Sequence, residues 1–171
     1  MKVESHVTIG LFTWGALYFH QPSPLAALPG QGVVLWDALA IPLVVFGSLL
    51  PDIDHPHSAI AHSLVLRPFG WGIRKLTHHR GIMHSLLMAI LSLVAGTLLL
   101  NRYLGLALFW GYLSHLFADA LTVEGIPLFD PLWNRKLHLP FLAIRTGSAW
   151  EGIYLGAIVA FAILFAVGAP P

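Results

Sequence analysis

The run SLLMAILSLVAGTLLL (residues 85–100), the triplet Asn101-Arg102-Tyr103 and the run LGLALFWGYLSHLFADAL (residues 104–121) decide the fold class. Two apolar stretches of this length, split by so short a polar break, read as antiparallel helices joined by a tight turn. A membrane-spanning helix needs roughly 20 mostly apolar residues, and three further runs approach that length. Residues 33–50 carry one carboxylate, Asp37. Residues 7–19 reach spanning length only by including His6 and His20. Residues 153–167 are followed by Gly168-Ala169-Pro170-Pro171. The expectation is an all-α polytopic membrane protein of about five transmembrane helices, with residues 1–171 forming one domain. Two polar stretches, residues 51–83 and 122–150, are expected as interfacial loops on one face. A short interfacial helix is expected in the first, and in the second a small hairpin of residues 136–139 and 142–145 around Pro140.

Composition agrees with that class. Of the 171 residues 57% are hydrophobic and only 10% charged, whereas an ordinary soluble domain is about 25% charged. A net charge of +1 argues against nucleic acid as a partner, which calls for a clearly basic footprint. There is no cysteine, so disulfides, thiolate metal sites and cysteine nucleophiles are excluded. Lys2 before an apolar run resembles the start of a signal peptide. Glu4 and His6 in the leading segment, and Pro22 and Pro24 before any cleavage site, lead us to expect that it is retained. Ten histidines accompany only eight carboxylates, and that imbalance directs the search for function.

Threading five helices alternately through a bilayer places nearly every ligand-like motif on one face. Pro51-Asp52-Ile53-Asp54-His55 follows the second helix, and His78-His79-Arg80-Gly81-Ile82-Met83-His84 opens the third. His115 and Asp119 close the fourth, and His6 and Glu151 begin the first and fifth. His20 and Asp37 fall at the opposite ends, and His57, His62 and His138 lie in loops without a clear role. Lys2, Arg67, Arg74, Lys75, Arg80, Arg135, Lys136 and Arg145 share the motif face and only Arg102 the other, which makes the motif face cytoplasmic.

Each motif has an ordinary alternative. Acidic turns are common caps, a basic cluster at a helix start can contact lipid headgroups, and a lone polar residue at a helix start is usually a cap. His115 and Asp119 share one helix face at i and i+4 inside a strongly apolar run, where ionisable groups are costly and functional or paired by default. Together His6, Asp52, Asp54, His79, His84, His115, Asp119 and Glu151 supply four imidazoles and four carboxylates. That exceeds one tetrahedral site and suits two ions with mixed N/O ligands, Zn²⁺ foremost, with Mn²⁺ or Fe²⁺ also compatible. No Gly-x-Ser-x-Gly elbow or phosphate-binding glycine loop occurs.

At these positions the sequence resembles the membrane-bound metal-dependent hydrolases, the YdjM-like inner-membrane proteins. The resemblance rests on His6, Leu49-Leu50-Pro51-Asp52-Ile53-Asp54-His55, His79-Arg80-Gly81 with His84-Ser85, Gly111-Tyr112-Leu113-Ser114-His115 with Asp119, and Thr146-Gly147-Ser148 with Glu151. It covers nearly the whole chain in order, and departs only at Ser5, where the family often has threonine. The family is grouped distantly with zinc-dependent phospholipase C and single-strand nucleases, which implies phosphoester hydrolysis in a prokaryotic inner membrane.

The resulting expectation is metal-assisted hydrolysis of a phosphoester, most plausibly in a membrane lipid or lipid-linked substrate. Asp54 or Glu151 would act as general base, and Arg80 and Arg145 would hold the phosphate. The alternatives are a metal-ion or proton transporter, whose site would sit nearer a midplane, and a scaffold with a closed structural metal.

Overall fold

A computed structural model describes residues 1–20, 33–55, 58, 71–72, 81–138 and 144–168. It is mostly helical. Among the described residues five α-helices are bounded: α1 (Val3–His20), α2 (Val33–Leu49), α3 (Leu86–Leu99), α4 (Arg102–Ala120) and α5 (Ala149–Gly168). Two 3₁₀ turns, Leu50–Asp54 and Ile82–His84, follow α2 and precede α3. The described residues contain no strand, only isolated bridges Thr122–Ile144, Ile126–Leu137 and Phe129–Trp133.

Each helix begins or stops for a local reason. Asn101 is extended and its side chain accepts a hydrogen bond from the Leu104 amide at 2.9 Å, capping α4. Arg102 and Tyr103 therefore belong to the helix, and the break between α3 and α4 is narrower than the expected three-residue turn. Ser85 is likewise extended and caps α3 through the Met88 amide. Pro51, the second residue of the 3₁₀ segment that follows α2, ends the helix because proline has no amide proton to continue the α-helical ladder.

The bundle is organised around α4, which packs against α1, α2 and α3. Tyr103, Leu104 and Ala107 meet Ala40 and Val44 of α2 in one core cluster. Tyr112, Leu116 and Ala120 meet Ala89 and Ile126 in another. At the α2–α4 crossing the backbones touch. A Cβ on Gly111 would lie 2.2 Å from the Val44 carbonyl oxygen, and one on Gly47 would lie 2.3 Å from that of Leu108. Only glycine permits this approach, and it brings the end of α2 against the last turns of α4, where the polar residues gather.

The spanning expectation is overturned. Among the described residues no helix is long and apolar enough to cross a membrane. α2 and α3 have 17 and 14 residues, short of the roughly 20 required. α1, α4 and α5 spend end turns on Glu4, Ser5 and His6, on His115 and Asp119, and on Glu151. Composition gave the apolar runs but not how much of each helix is polar. With no spanning helix among the described residues, the threading that gave the two loops a shared membrane face has no support, and the basic residues no longer report topology. The expected interfacial helix in residues 51–83 lies mainly outside the described residues. The pairing in residues 122–150 differs from that expected around Pro140: Ile126 and Leu137 exchange both backbone hydrogen bonds, at 3.0 and 2.7 Å. Residues 139–143 lie outside the description.

Candidate metal centre

Four segments deliver donors to one buried point. The 3₁₀ turn after α2 brings Asp52, the turn before α3 brings His84, the last turns of α4 bring His115 and Asp119, and the first turn of α1 brings His6. His84 Nε2 lies 3.5 Å from Asp52 Oδ1 and 3.6 Å from Asp119 Oδ2. His115 Nε2 lies 3.8 Å from Asp52 Oδ1 and 3.6 Å from Asp119 Oδ2. These four separations form a closed ring of alternating nitrogen and oxygen. Ligands of a tetrahedral ion at about 2.1 Å are about 3.4 Å from one another; the four sides come close to this, and Asp52, His84 and His115 offer donor atoms that all lie within 4.8 Å of one another.

The tautomer of His115 follows from its other nitrogen. Nδ1 lies 2.7 Å from the Ser48 carbonyl oxygen, which can only accept, so Nδ1 carries the proton and donates. A neutral His115 then turns the lone pair of Nε2 into the ring. Fixing a ligand histidine through its second nitrogen to a backbone carbonyl is the usual arrangement in metal sites. Four electron-rich atoms so close together need positive charge among them, from a proton on an imidazole or from an ion. Nε2 of His115 makes no hydrogen bond; burial opposes its charge, but Asp119 and Asp52 beside it raise its pKa above the ordinary value, so with no ion present a proton on His115 supplies that charge.

Burial sets the charge states at the ring's rim. It pushes the His84 imidazole down against the opposing pull of Asp52 and Asp119, favouring the neutral form that has a lone pair to give. Burial pushes the Asp52 carboxyl up, but His84 and His115 beside it override this and hold it well below the usual carboxylate range. The side chain of Asp52 is 24% exposed, whereas those of His84, His115 and Asp119 are at most 2% exposed. The ring is therefore reached from the Asp52 side.

A second donor group adjoins the first: His6, His115 and Asp119. The His6 ring stacks on His115 with centroids 3.7 Å apart. Its Nε2 lies 3.4 Å from Asp119 Oδ1, and neither of its ring nitrogens makes a hydrogen bond. Asp119 thus faces His6 with Oδ1 and, with Oδ2, lies 3.6 Å from both His84 and His115. The Met1 amino nitrogen is also 2.7 Å from Asp119 Oδ1. His115, with Nδ1 committed to Ser48, has a single nitrogen to give, so the second group is poorer in donors than the first.

The remaining expected residues divide. Asp54 is buried on the same turn as Asp52 but belongs to neither group. Glu151 is buried and occupied elsewhere. Its Oε1 accepts from the Lys2 amide at 2.7 Å and the Ser5 hydroxyl at 2.5 Å, and its Oε2 accepts from the Gly147 amide at 2.6 Å. Gly147 has a φ of +80°, a conformation glycine adopts without strain, and this aims its amide at the carboxylate. Burial would raise Glu151, and these three hydrogen bonds instead hold it below the ordinary range. It is a clasp between α5 and the start of α1, not a member of the ring. Arg145 is exposed, and His79 and Arg80 lie outside the described residues.

Sequence reasoning did not single out three supporting groups. The Ser48 carbonyl orients His115. Tyr112 donates a short hydrogen bond to the Met83 carbonyl, tying the turn that carries His84 to α4. Ser5 ties the turn that carries His6 to Glu151. A backbone carbonyl leaves no sequence signal, although Tyr112, a polar side chain within an apolar helix three residues before His115, offered one.

A helical chain with a buried His/Asp cluster able to hold a metal ion is the class that fold and site define. The family model described as "YdjM inner membrane protein" matches residues 1–169, and the chain belongs to that family. It is 32% identical over 179 residues to the inner membrane protein YdjM of Escherichia coli strain K12, covering 95% of this chain and 82% of that protein. The Shigella flexneri protein of the same name matches to the same extent. An uncharacterized Bacillus subtilis protein, YvsG, is 34% identical over 113 residues, 66% of this chain and 68% of its own length. No solved structure matches. Family membership supports an inner-membrane location.

Proposed function

We propose that the chain is a metal-dependent hydrolase of the inner membrane, with a divalent ion held by Asp52, His84, His115 and Asp119, and that it cleaves a phosphoester of a membrane lipid. The observation that carries the reading is the closed ring of two imidazole nitrogens and two carboxylate oxygens with separations of 3.5–3.8 Å. Mixed N/O donors suit Zn²⁺, with Mn²⁺ or Fe²⁺ as alternatives, rather than an all-oxygen magnesium site. A second ion would take His6 and Asp119 Oδ1.

When bound, such an ion supplies Lewis acidity toward a water molecule and a phosphoryl oxygen. The chain's residues do the rest. His84 and His115 would each turn an unprotonated Nε2 to the ion, and the Ser48 carbonyl keeps His115 from rotating. Asp52 holds the accessible side of the ring, where a headgroup arrives. Asp54, a buried carboxylate two residues further along the same turn, is assigned the role of general base. That role leaves Glu151, whose oxygens already accept three hydrogen bonds. Arg80 and Arg145 are retained as phosphate-holding candidates.

The test is purification of the full chain in mild detergent, elemental analysis, and assay of phosphodiester and phospholipid hydrolysis. Chelation should abolish turnover, and added Zn²⁺ or Mn²⁺ should restore it. Metal-dependent flux in sealed vesicles with no turnover would favour transport instead. Bound metal with neither activity would favour a scaffold.

A further inference from the structure

On the side of α4 away from the ring lies a cavity of about 500 Å³, within the range of about 300–1,000 Å³ typical of small-ligand sites. Trp110, Leu113 and Phe117 of α4 line it, together with Leu86 at the start of α3 and Ile126 and Leu137 of the paired loop. At 3.6 residues per turn, the α4 residues that face it lie roughly 160° around the helix from His115 and Asp119. α4 therefore separates the cavity from the metal centre.

The chemistry of its wall defines the occupant. Among the described residues no charged one lines the cavity, and the two hydroxyls there, Thr13 and Ser114, already donate to the carbonyls of Ile9 and Gly111 within their own helices at 2.8 and 2.6 Å. A polar ligand would find little to replace its lost hydration. The outer part of the same loop has the opposite character. Leu132 is 95% exposed, Trp133 and Phe129 are about half exposed, and Arg135 and Lys136 stand exposed immediately before the wall residue Leu137. Exposed aromatic and aliphatic side chains beside basic ones suit the boundary between acyl chains and anionic headgroups.

We propose that this cavity binds one acyl chain of a bilayer phospholipid, with residues 126–137 as its cover and its point of contact with the headgroup region. The site is independent of hydrolysis. A lipid held there is on the wrong side of α4 to be attacked at the ring, so it anchors the bundle to the membrane surface rather than serving as substrate.

The test is lipid retention. The full chain, purified in mild detergent and exhaustively exchanged, should retain about one phospholipid per chain by mass spectrometry. Filling the cavity with Leu113→Trp or Ala120→Leu should reduce retention at least fivefold. Leu98→Trp, at the exposed end of α3, should leave it unchanged. Wild type carrying only detergent, or filled variants retaining as much lipid as wild type, would overturn the proposal. Should the filled variants fail to fold by circular dichroism, a second measurement decides. Because the chain has no cysteine, Leu137→Cys can carry a single environment-sensitive dye. In micelles supplied with one spin-labelled phosphatidylglycerol per chain, a label midway along the acyl chain should quench at least twice as strongly as one on the headgroup. The reverse order would also overturn it.

Discussion

Substituting Gly111 by alanine should damage the fold and the metal centre together. The added Cβ would stand 2.2 Å from the Val44 carbonyl oxygen and 3.1 Å from the Ser48 amide nitrogen. Both neighbours are backbone and cannot rotate away, so α2 and α4 must separate by about 1 Å to restore an ordinary contact. Overpacking of this kind costs about 1–3 kcal/mol, which in a domain of this size lowers the melting temperature by about 2–12 °C. The same separation carries the Ser48 carbonyl away from His115 Nδ1, now at 2.7 Å. Loss of such an outer partner typically weakens metal binding about 10–100-fold. The control is Gly156→Ala on α5, where a Cβ meets nothing within 4 Å. There alanine should be neutral or stabilising by about 0.5–1 kcal/mol, since glycine is a poor helix former. Thermal unfolding followed by intrinsic fluorescence in detergent, with parallel zinc titrations, reads both effects. A Gly111→Ala protein that melts and binds zinc like wild type would refute the close crossing and its link to the site.

Asp119→Asn should leave a folded protein with at least tenfold weaker metal binding, whereas Glu4→Gln, at an exposed acid of α1, should bind as wild type; isothermal titration measures both. Glu151→Gln should retain its metal but loosen the start of α1, read as faster hydrogen exchange at the Lys2 and Ser5 amides; loss of metal instead would return Glu151 to the ligand set. Because Glu151 is held below its ordinary value of 4.5, its stabilising contribution is present above that pH and is lost as pH falls toward the folded-state value. Wild type should therefore lose stability below about pH 4.5 more steeply than Glu151→Gln, as seen in melting curves recorded from pH 6 to 3.

The sequence reading grouped Asp52, His84, His115 and Asp119 by threading helices through a bilayer, and the structure brings them together without spanning helices. The grouping survives because it depends on alternation, not on a membrane. In an antiparallel bundle the end of α2, the start of α3 and the end of α4 meet at one end whatever surrounds them. The i, i+4 spacing of His115 and Asp119 was legible for the same reason, being a property of one helix. The role of Glu151 was not legible. It depends on a glycine with positive φ and on backbone amides distant in sequence, and neither has a spacing to read. The pairing of Ile126 with Leu137 was not legible, because it is a single bridge with no alternating apolar run on either side to announce it. The apolar runs were overread as membrane spans, since a polar first turn lengthens a helix without lengthening its apolar stretch.

The most direct measurement is X-ray absorption at the zinc edge on the purified, zinc-loaded chain. A ring of Asp52, His84, His115 and Asp119 should give one tightly bound ion with nitrogen and oxygen ligands at about 2.0–2.1 Å, and the outer-shell scattering of two imidazoles. His115→Ala should remove one of the two. Failure to bind zinc in stoichiometric amount, or a shell without imidazole scattering, would contradict the assignment of these four residues as a metal centre.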